Sequence, residues 1–200
     1  SDVEGNEPAD RGLSGQLYGG DRRTRIKQEI LVGIGGTRLI KDILHLAPAV
    51  YHMNEGHCAF LTLERVREMI KRGLNFHEAR EAVRSNCAFT THTPVPAGNE
   101  VFDLEILEHY MRDFITQEVG IQWEQFLDLG FEPGHSAKQK FSMTVLALKM
   151  STKANGVAKL HGKVSRDMWK SLWRNMPVEE VPIFPITNGI HTQTWMAKPL

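Results

Sequence analysis

Apolar and polar positions alternate after residue 48 in blocks that are typical of short buried strands and amphipathic helices. Short apolar runs bounded by turn residues predict strands, and apolar residues recurring every three or four positions predict helices. The predicted elements are strand 49–53, helices 60–72 and 75–84, strand 87–91, helices 103–130 and 143–154, strand 156–160, helix 165–173 and an extended segment at 181–186. Strands that alternate with helices at this spacing indicate an α/β fold with a parallel sheet.

The segment between residues 21 and 45 fits two interpretations. In the first, residues 29–34 form a strand, Gly35-Gly36 forms a phosphate-binding loop and Thr37 begins a helix. In the second, the segment is one long helix whose apolar stripe comprises Ile26, Ile30, Gly33, Thr37, Ile40 and Leu44. The dinucleotide-binding pattern G-x-G-x-x-G requires glycine at position 38, where the chain has arginine. We therefore favour the helix, although each interior glycine costs about 1 kcal/mol relative to alanine and so requires a close neighbour.

Polar side chains cluster where the predicted strands end. Asn54, Glu55 and His57 follow the first strand, Thr91, His92 and Thr93 follow the second, Asn155 precedes the third, and Asn188 and His191 follow the last. In an open parallel sheet the ligand crevice lies at the carboxyl ends of the strands. Asparagine, histidine and threonine make neutral hydrogen bonds, which suit the hydroxyl groups of a sugar. Turn chemistry also explains each cluster taken alone, but four clusters together favour a polyol-binding cleft.

Composition and charge exclude several classes of function. The chain has 24 basic and 24 acidic residues, so it lacks the positive field with which proteins bind nucleic acids or anionic lipids. No window approaches about eighteen uninterrupted apolar residues, so we expect no membrane segment. The polar residues 1–12 do not resemble the apolar core of a signal peptide. Two cysteines, Cys58 and Cys87, make no disulfide framework, and we therefore expect a cytoplasmic protein.

The sequence does not match the residue patterns of a zinc site, a nucleophile elbow or a glycosidase. The H-E-x-x-H zinc pattern that begins at His77 has glutamate at its last position, and His52 and His57 have no third ligand at a recognisable spacing. We therefore expect no metal site. Residues 134–138 lack the closing glycine of a nucleophile elbow. Glu55 alone does not provide the carboxylate pair of a glycosidase.

Four collinear blocks of sequence resemble the α-glucan phosphorylases, the family of glycogen and maltodextrin phosphorylases. The blocks are YHMNEGH at 51–57, FTTHTPVPAG at 89–98, NGVAKLHG at 155–162 and TNGIH at 187–191, and LYGGD at 17–21 and RIKQE at 25–29 fit the lead-in to the same region. The resemblance covers nearly the whole chain. It is closest to the shorter bacterial and archaeal branch of the family.

The resemblance implies part of the N-terminal half of a GT-B fold, in which two Rossmann-like domains face a cleft, and a helix over residues 25–44. It implies a parent glycosyltransferase that transfers the terminal glucosyl unit of an α-1,4-glucan to inorganic phosphate, giving glucose 1-phosphate with retention. It also implies pyridoxal phosphate, bound to a lysine downstream of residue 200. We expect a lead and long helix at 1–47, the Rossmann-like part of the first domain at 48–190 and the start of the inter-domain hinge at 191–200, with the second domain absent.

The resemblance also implies roles for the polar clusters. His92 would contact the glucosyl unit, with its backbone carbonyl near the reacting sugar, and Asn188 would hydrogen-bond the sugar hydroxyls. Asn54, Glu55 and His57 match the block that lines the donor side of the cleft. No lysine of this chain matches the cofactor's context, so we expect the isolated chain to be inactive.

Two alternatives stay open. One is a GT-B transferase that uses a nucleotide sugar without pyridoxal phosphate, and the other is a carbohydrate-binding module without activity. The expected partners are α-1,4-glucan and phosphate, with no nucleic acid and no membrane, and homo-oligomerisation of the parent is left open. Pyridoxal phosphate absorbance in the full-length protein would separate the two enzymes, and glucan affinity without turnover would favour the binding module.

Overall fold

A four-stranded parallel sheet forms the centre of the structure, a computed structural model that describes residues 3–15, 20–134 and 140–197. The strands of these residues are β1 (Tyr51–Asn54), β2 (Cys87–Thr91), β3 (Val101–Phe102), β4 (Phe141–Ser142), β5 (Lys153–Gly156) and β6 (Ile183–Pro185). The sheet has the order β1-β2-β5-β6 with every pair parallel, and β3 and β4 form a separate antiparallel pair. The predicted α/β fold with a parallel sheet is confirmed.

Helices occupy most of the connections between the strands. In the described residues they are α1 (Pro8–Arg11), α2 (residues 22–43), α3 (Leu61–Lys71), α4 (Phe76–Ser85), α5 (Leu104–Asp113), α6 (Trp123–Gly130), α7 (Met143–Lys149), α8 (Lys159–Trp169) and α9 (Thr192–Trp195). Within α2, π-helical turns at Leu31–Gly35 and Leu39–Ile43 alternate with α-helix, and α5 continues as a π-helical stretch at Phe114–Val119. Short 3-10 turns lie at Gly56–Cys58, Pro96–Gly98, Lys170–Trp173 and Val178–Glu180.

Capping residues explain where two of the helices begin. Asn75 Oδ1 accepts the backbone N–H of Glu78, and the Glu78 carboxylate accepts the backbone N–H of Asn75, which is a complete capping box for α4. Asp21 begins α2, because its carboxylate accepts the backbone N–H of Thr24 at 2.8 Å. The start predicted for α4 at Asn75 is therefore confirmed.

The helices that contact the sheet lie on one of its faces. α4 and α7 contact β2, and α8 contacts β5 and β6. Met53, Phe89 and Ile183 are buried, and the strand register, through Ala154, places them on the same face of the sheet. Each new strand of the sheet is added at the same edge, in the order β1-β2-β5-β6. Right-handed crossover connections in such a sheet place the connecting helices on the same face. On the opposite face, Phe184 and Ile186 are 55% and 60% exposed along a groove of about 530 Å³.

The segment at 22–43 is helical, so the strand and phosphate loop considered for it are wrong and the favoured helix is confirmed. α2 crosses the start of α3 at Gly33, where an added Cβ would lie 2.8 Å from the backbone nitrogen of Leu61 and 3.0 Å from Phe60 Cβ. This is the close neighbour that an interior glycine requires. Gly36 has no such neighbour, because nothing lies within 4 Å of an added Cβ.

Two predicted elements are misplaced. The strand predicted at 156–160 is wrong, because β5 is Lys153–Gly156 and α8 begins at Lys159, while α7 already ends at Lys149. The apolar run after residue 156 therefore belongs to a turn and a helix start, and Leu160 within it is 73% exposed. The helix predicted at 103–130 is interrupted at Gly120, whose φ of +79° ends the π-helical stretch.

Some predictions are outside what the structure describes or tests. The lead-in residues 17–19 and residues 135–138 of the rejected nucleophile pattern lie outside the described residues. The division of the chain at residues 47 and 190 stays a prediction. In the described residues, no helix is long and apolar enough to cross a membrane.

Candidate functional site

A polar cleft of about 620 Å³ lies at the carboxyl ends of β1 and β2. Its lining residues are Gly20, Arg25, Asn54, Glu55, His57, His92, Thr93, Gly98, Asn99 and Glu100. Four of the predicted site residues, Asn54, Glu55, His57 and His92, thus share one cleft. Parallel pairing explains this, because Asn54 is in register with Thr90 and both strands end at the same edge of the sheet.

His92 is held by two consecutive residues at the end of β1. Its Nε2–H donates to Asn54 Oδ1 at 2.6 Å, and its backbone N–H donates to Glu55 Oε2 at 2.8 Å. An amide oxygen only accepts hydrogen bonds, so Nε2 of His92 carries a proton in this contact. His92 is exposed, so its ring is oriented by the contact with Asn54 and its backbone by the contact with Glu55, and not by packing.

Glu55 uses its carboxylate within the protein. Besides the contact with His92, Oε2 accepts the hydroxyl of Thr93 at 3.1 Å and Oε1 accepts the backbone N–H of Gly56 at 3.1 Å. Its backbone has φ +79° and ψ 168°, a conformation that favours glycine. The side chain therefore connects the end of β1 to the loop that follows β2.

His57 follows on the 3-10 turn Gly56–Cys58 and lines the same cleft. Burial lowers the pKa of His57 below its usual value, and the carboxylate of Glu55 only partly opposes this effect. The imidazole is therefore neutral near pH 7. Burial also raises the pKa of the neighbouring Cys58 thiol to about 11, so this cysteine is an unreactive thiol.

Two charged residues of the cleft wall were missed by sequence reasoning as site candidates. Arg25 from α2 donates through Nε to Glu100 Oε2 at 3.2 Å and through Nη2 to Glu29 Oε1 at 3.1 Å. The contact between Arg25 and Glu29 could have been predicted from the sequence, because side chains four residues apart on a helix are neighbours. The pairing with Glu100, 75 residues away, had no local signal.

Glu29 is a buried carboxyl group behind this wall. Burial, reinforced by the nearby Glu100 carboxylate, raises the pKa of Glu29 to about 9 despite the contact with Arg25. Its second oxygen is buried without a hydrogen-bond partner in the described residues. Glu29 is therefore protonated at neutral pH and contributes no charge to the cleft.

The remaining predicted residues lie away from this cleft. Asn188 is exposed, and its backbone N–H donates to the carbonyl of Val157 at 3.1 Å; it does not line the cleft. Asn155, expected to precede a strand, lies inside β5, where its Oδ1 accepts the Thr90 hydroxyl at 2.8 Å. Because Thr90 donates there, it accepts the Nε2–H of His52 at 2.7 Å. His191 Nδ1 lies 2.6 Å from the Thr194 hydroxyl, within the start of α9.

The groups that the cleft offers to a ligand are mainly neutral hydrogen-bonding side chains. Asn54, His57, His92 and Thr93 present amide, imidazole and hydroxyl groups, and the charges of Arg25 and Glu100 are paired with each other. The third charged group, the Glu55 carboxylate, accepts hydrogen bonds from the protein itself. In the described residues, no group of three histidine, cysteine or acidic side chains could hold a metal ion. Such a surface suits an uncharged ligand rich in hydroxyl groups.

Comparison with known proteins agrees with this surface. The family described as carbohydrate phosphorylase matches residues 41–199. The chain belongs to this family. It is 44% identical to maltodextrin phosphorylase of Thermococcus litoralis over 196 residues. This match covers 98% of this chain and 22% of the length of that protein. The chain is 44% identical to glycogen phosphorylase of Mycobacterium tuberculosis and 32% identical to glycogen phosphorylase of Aquifex aeolicus, over 98% and 100% of this chain.

Family membership confirms the resemblance drawn from the four sequence blocks. The chain spans only 22% to 28% of the length of these relatives, so it is a partial phosphorylase chain. The parallel sheet with flanking helices fits a Rossmann-like half of a GT-B phosphorylase. The nucleotide-sugar transferase and the inactive binding module are not favoured, since the named relatives are phosphorylases. The roles of His92, Asn188, Asn54, Glu55 and His57 stay predictions.

Proposed function

We propose that the longer protein carrying this chain is an α-glucan phosphorylase. It transfers the terminal glucosyl unit of an α-1,4-glucan to inorganic phosphate and gives glucose 1-phosphate with retention of configuration. The observation that carries the proposal is the family match over residues 41–199. The hydrogen-bonding cleft at the ends of β1 and β2, lined mainly by neutral polar side chains, supports a sugar as the ligand.

In this proposal, the chain supplies the sugar side of the cleft. His92 contacts the glucosyl unit, and its ring and backbone are already held by Asn54 and Glu55. Groups that are fixed before the ligand arrives lose little entropy on binding, which favours the orientation needed for reaction. His57, neutral and partly buried, offers a further hydrogen bond. Asn188 does not line this cleft, so its contact with the sugar is proposed from the family resemblance alone.

Pyridoxal phosphate belongs to the proposal through the family alone. When bound, it would supply a phosphate group as acid–base partner of the substrate phosphate. The described wall of the cleft contains Arg25 but no lysine, and the Arg25 guanidinium is engaged by Glu29 and Glu100. The residues of this cleft therefore do not fit a Schiff-base site. We propose that the cofactor binds a lysine in a part of the longer protein outside residues 1–200.

The test is an activity assay on the full-length protein. Maltodextrin and inorganic phosphate should give glucose 1-phosphate, and omission of phosphate should abolish the product. Transfer from a nucleotide sugar without phosphate dependence would support the other transferase class. Glucan binding without any turnover would support a binding module, and either result would refute the proposal. Residues 1–200 alone should release no glucose 1-phosphate, because catalysis needs the whole charge constellation.

The setting of the enzyme is also proposed. A cytoplasmic location fits a chain with two free thiols, Cys58 and Cys87, and fractionation of the source cells would test it. The partners are the glucan and phosphate, with no nucleic acid and no membrane. Light scattering of the full-length protein would show whether it forms homo-oligomers.

A further inference from the structure

Glu55 has a backbone conformation that is unusual for its residue type. Its φ is +79°, and His45 is the only other non-glycine residue with positive φ in the described part of the chain. Glycine would adopt this conformation without strain, whereas a side chain adds strain. An observed strained residue at a cleft points to a function for its side chain.

The strained backbone directs the Glu55 carboxylate across to the loop after β2. The carboxylate accepts three protein donors: the backbone N–H of His92, the hydroxyl of Thr93 and the backbone N–H of Gly56. A carboxylate has about four acceptor positions, so most of its capacity is used inside the protein. This arrangement leaves little of the group for direct binding of sugar hydroxyls.

The contact between Glu55 and His92 acts on the main chain. Asn54 holds the imidazole ring of His92, whereas Glu55 holds its backbone N–H at 2.8 Å. The adjacent hydroxyl of Thr93 is held by the same carboxylate oxygen at 3.1 Å. The direction of the loop backbone beside the cleft therefore depends on one side chain.

We infer that Glu55 is a positioning residue whose carboxylate fixes the backbone of His92 and Thr93, so that His92 meets the ligand in one orientation. The inference rests on the proposed function, in which His92 contacts the glucosyl unit. It assigns to Glu55 an action through His92 instead of the direct sugar contact expected from its place in the cleft. Such fixed groups contribute mainly to the transition state, because they need no reorganisation during the reaction.

The decisive variant is Glu55→Gly in the full-length protein. Glycine relieves the strain of the positive φ but removes the three acceptor contacts, and these two effects on stability oppose each other. The variant should therefore fold with a Tm close to that of the wild type. We expect kcat to fall about ten- to a hundredfold, as for a displaced catalytic group. KM for glucan should change by less than about threefold, because ground-state binding is retained. Glu55→Gln should show a smaller loss, since its amide oxygen can replace one acceptor.

His45→Gly is the matched control. It relieves the other positive φ of a non-glycine residue, at an exposed position that does not line the cleft, and should leave kcat unchanged. A Glu55→Gly enzyme with wild-type kcat would overturn the inference. A large rise in KM at unchanged kcat would also overturn it, because Glu55 would then bind the sugar itself. If Glu55→Gly does not fold, the same kinetic comparison is made with Glu55→Gln.

The inference and the proposed function can fail separately. If the wild-type protein forms no glucose 1-phosphate, the proposed function is wrong. The positioning role is then decided by a crystal structure of Glu55→Gly. A reoriented peptide at residues 92–93 would support it, and an unchanged peptide would overturn it. If the wild type is active and the variant is equally active, only the inference is wrong.

Discussion

His92 directly follows β2, and its ring and backbone are held by Asn54 and Glu55 at the end of β1. Its loss should affect the ligand more than the fold. A lost hydrogen bond that leaves a buried partner unpaired costs about 1–3 kcal/mol, or roughly five- to 150-fold in rate. We expect His92→Ala and Asn188→Ala in the full-length enzyme each to lower kcat/KM for glucan within that range, without loss of cofactor. Steady-state phosphorolysis measures this.

His77→Ala is the control for these substitutions. His77 lies in the first turn of α4, away from the cleft, and its loss should be nearly silent. If His92→Ala and His77→Ala behave alike, the cleft assignment is wrong. If His92→Ala prevents folding, His92 is a structural turn residue, which is the simpler explanation of its cluster.

Glu29 should make the stability of the protein depend on pH. Its pKa is raised from 4.5 to about 9 in the folded state, so its stabilising contribution is complete below pH 4.5 and is lost as the pH rises through 9. The slope is at most about 1.4 kcal/mol per pH unit. Glu29→Gln cannot ionise, so its Tm relative to wild type should rise between pH 6 and 9. A Tm difference between Glu29→Gln and wild type that stays constant from pH 6 to 9 would contradict the assignment.

Residue types and strand ends were sufficient to predict part of the candidate site. The polar residues at the ends of the first two predicted strands do share one cleft, because parallel strands end at the same edge. Arg25 and Glu100 could not be found in this way, since their contact joins a helix to a distant loop. Asn188 also follows a strand, yet it lies beside Val157 and does not line the cleft.

At the scale of elements, the crossing of α2 and α3 depends on one glycine. Gly33→Ala would place Cβ 2.8 Å from the backbone nitrogen of Leu61, so the two helices would have to move apart. Overpacking of this kind costs about 1–3 kcal/mol, more than the gain of about 1 kcal/mol in helix propensity. We expect a lower Tm for the full-length Gly33→Ala protein. Gly36→Ala, with nothing within 4 Å, should raise Tm, and shifts of equal sign would contradict this account.

The elements that were misplaced from sequence share a physical cause. The run after Gly156 is apolar and β-branched enough to predict a strand, but α8 begins there because its buried face comprises His161, Ser165 and Trp169 at helical spacing. These partly polar residues give a weak apolar periodicity, so the helix start was overlooked. β3 and β4 have two residues each, which is too short for any periodic signal.

At the scale of the whole molecule, the sheet has one face that the described residues do not cover. Strands of parallel sheets are apolar on both faces because helices normally cover both. Val50, Phe184 and Ile186 fit that rule by composition, yet they are at least 55% exposed. Val32 and Ile43 of α2 and the adjacent Leu44 are also at least 52% exposed. The sequence predicted buried strands, but its apolar pattern could not show which face of the sheet would have no helices packed on it.

These two surfaces should make residues 1–200 associate when produced alone. Exposed apolar patches beyond a few hundred Å² drive association. We expect concentration-dependent oligomers in light scattering and binding of a hydrophobic dye. Phe184→Ser should reduce both, because it removes an aromatic ring from the open groove. Leu160→Ser, at a residue that is 73% exposed on α8, should change neither. A monomeric chain that binds no dye would show that residues 1–200 form a self-sufficient domain, and the boundaries predicted at residues 47 and 190 would then be wrong.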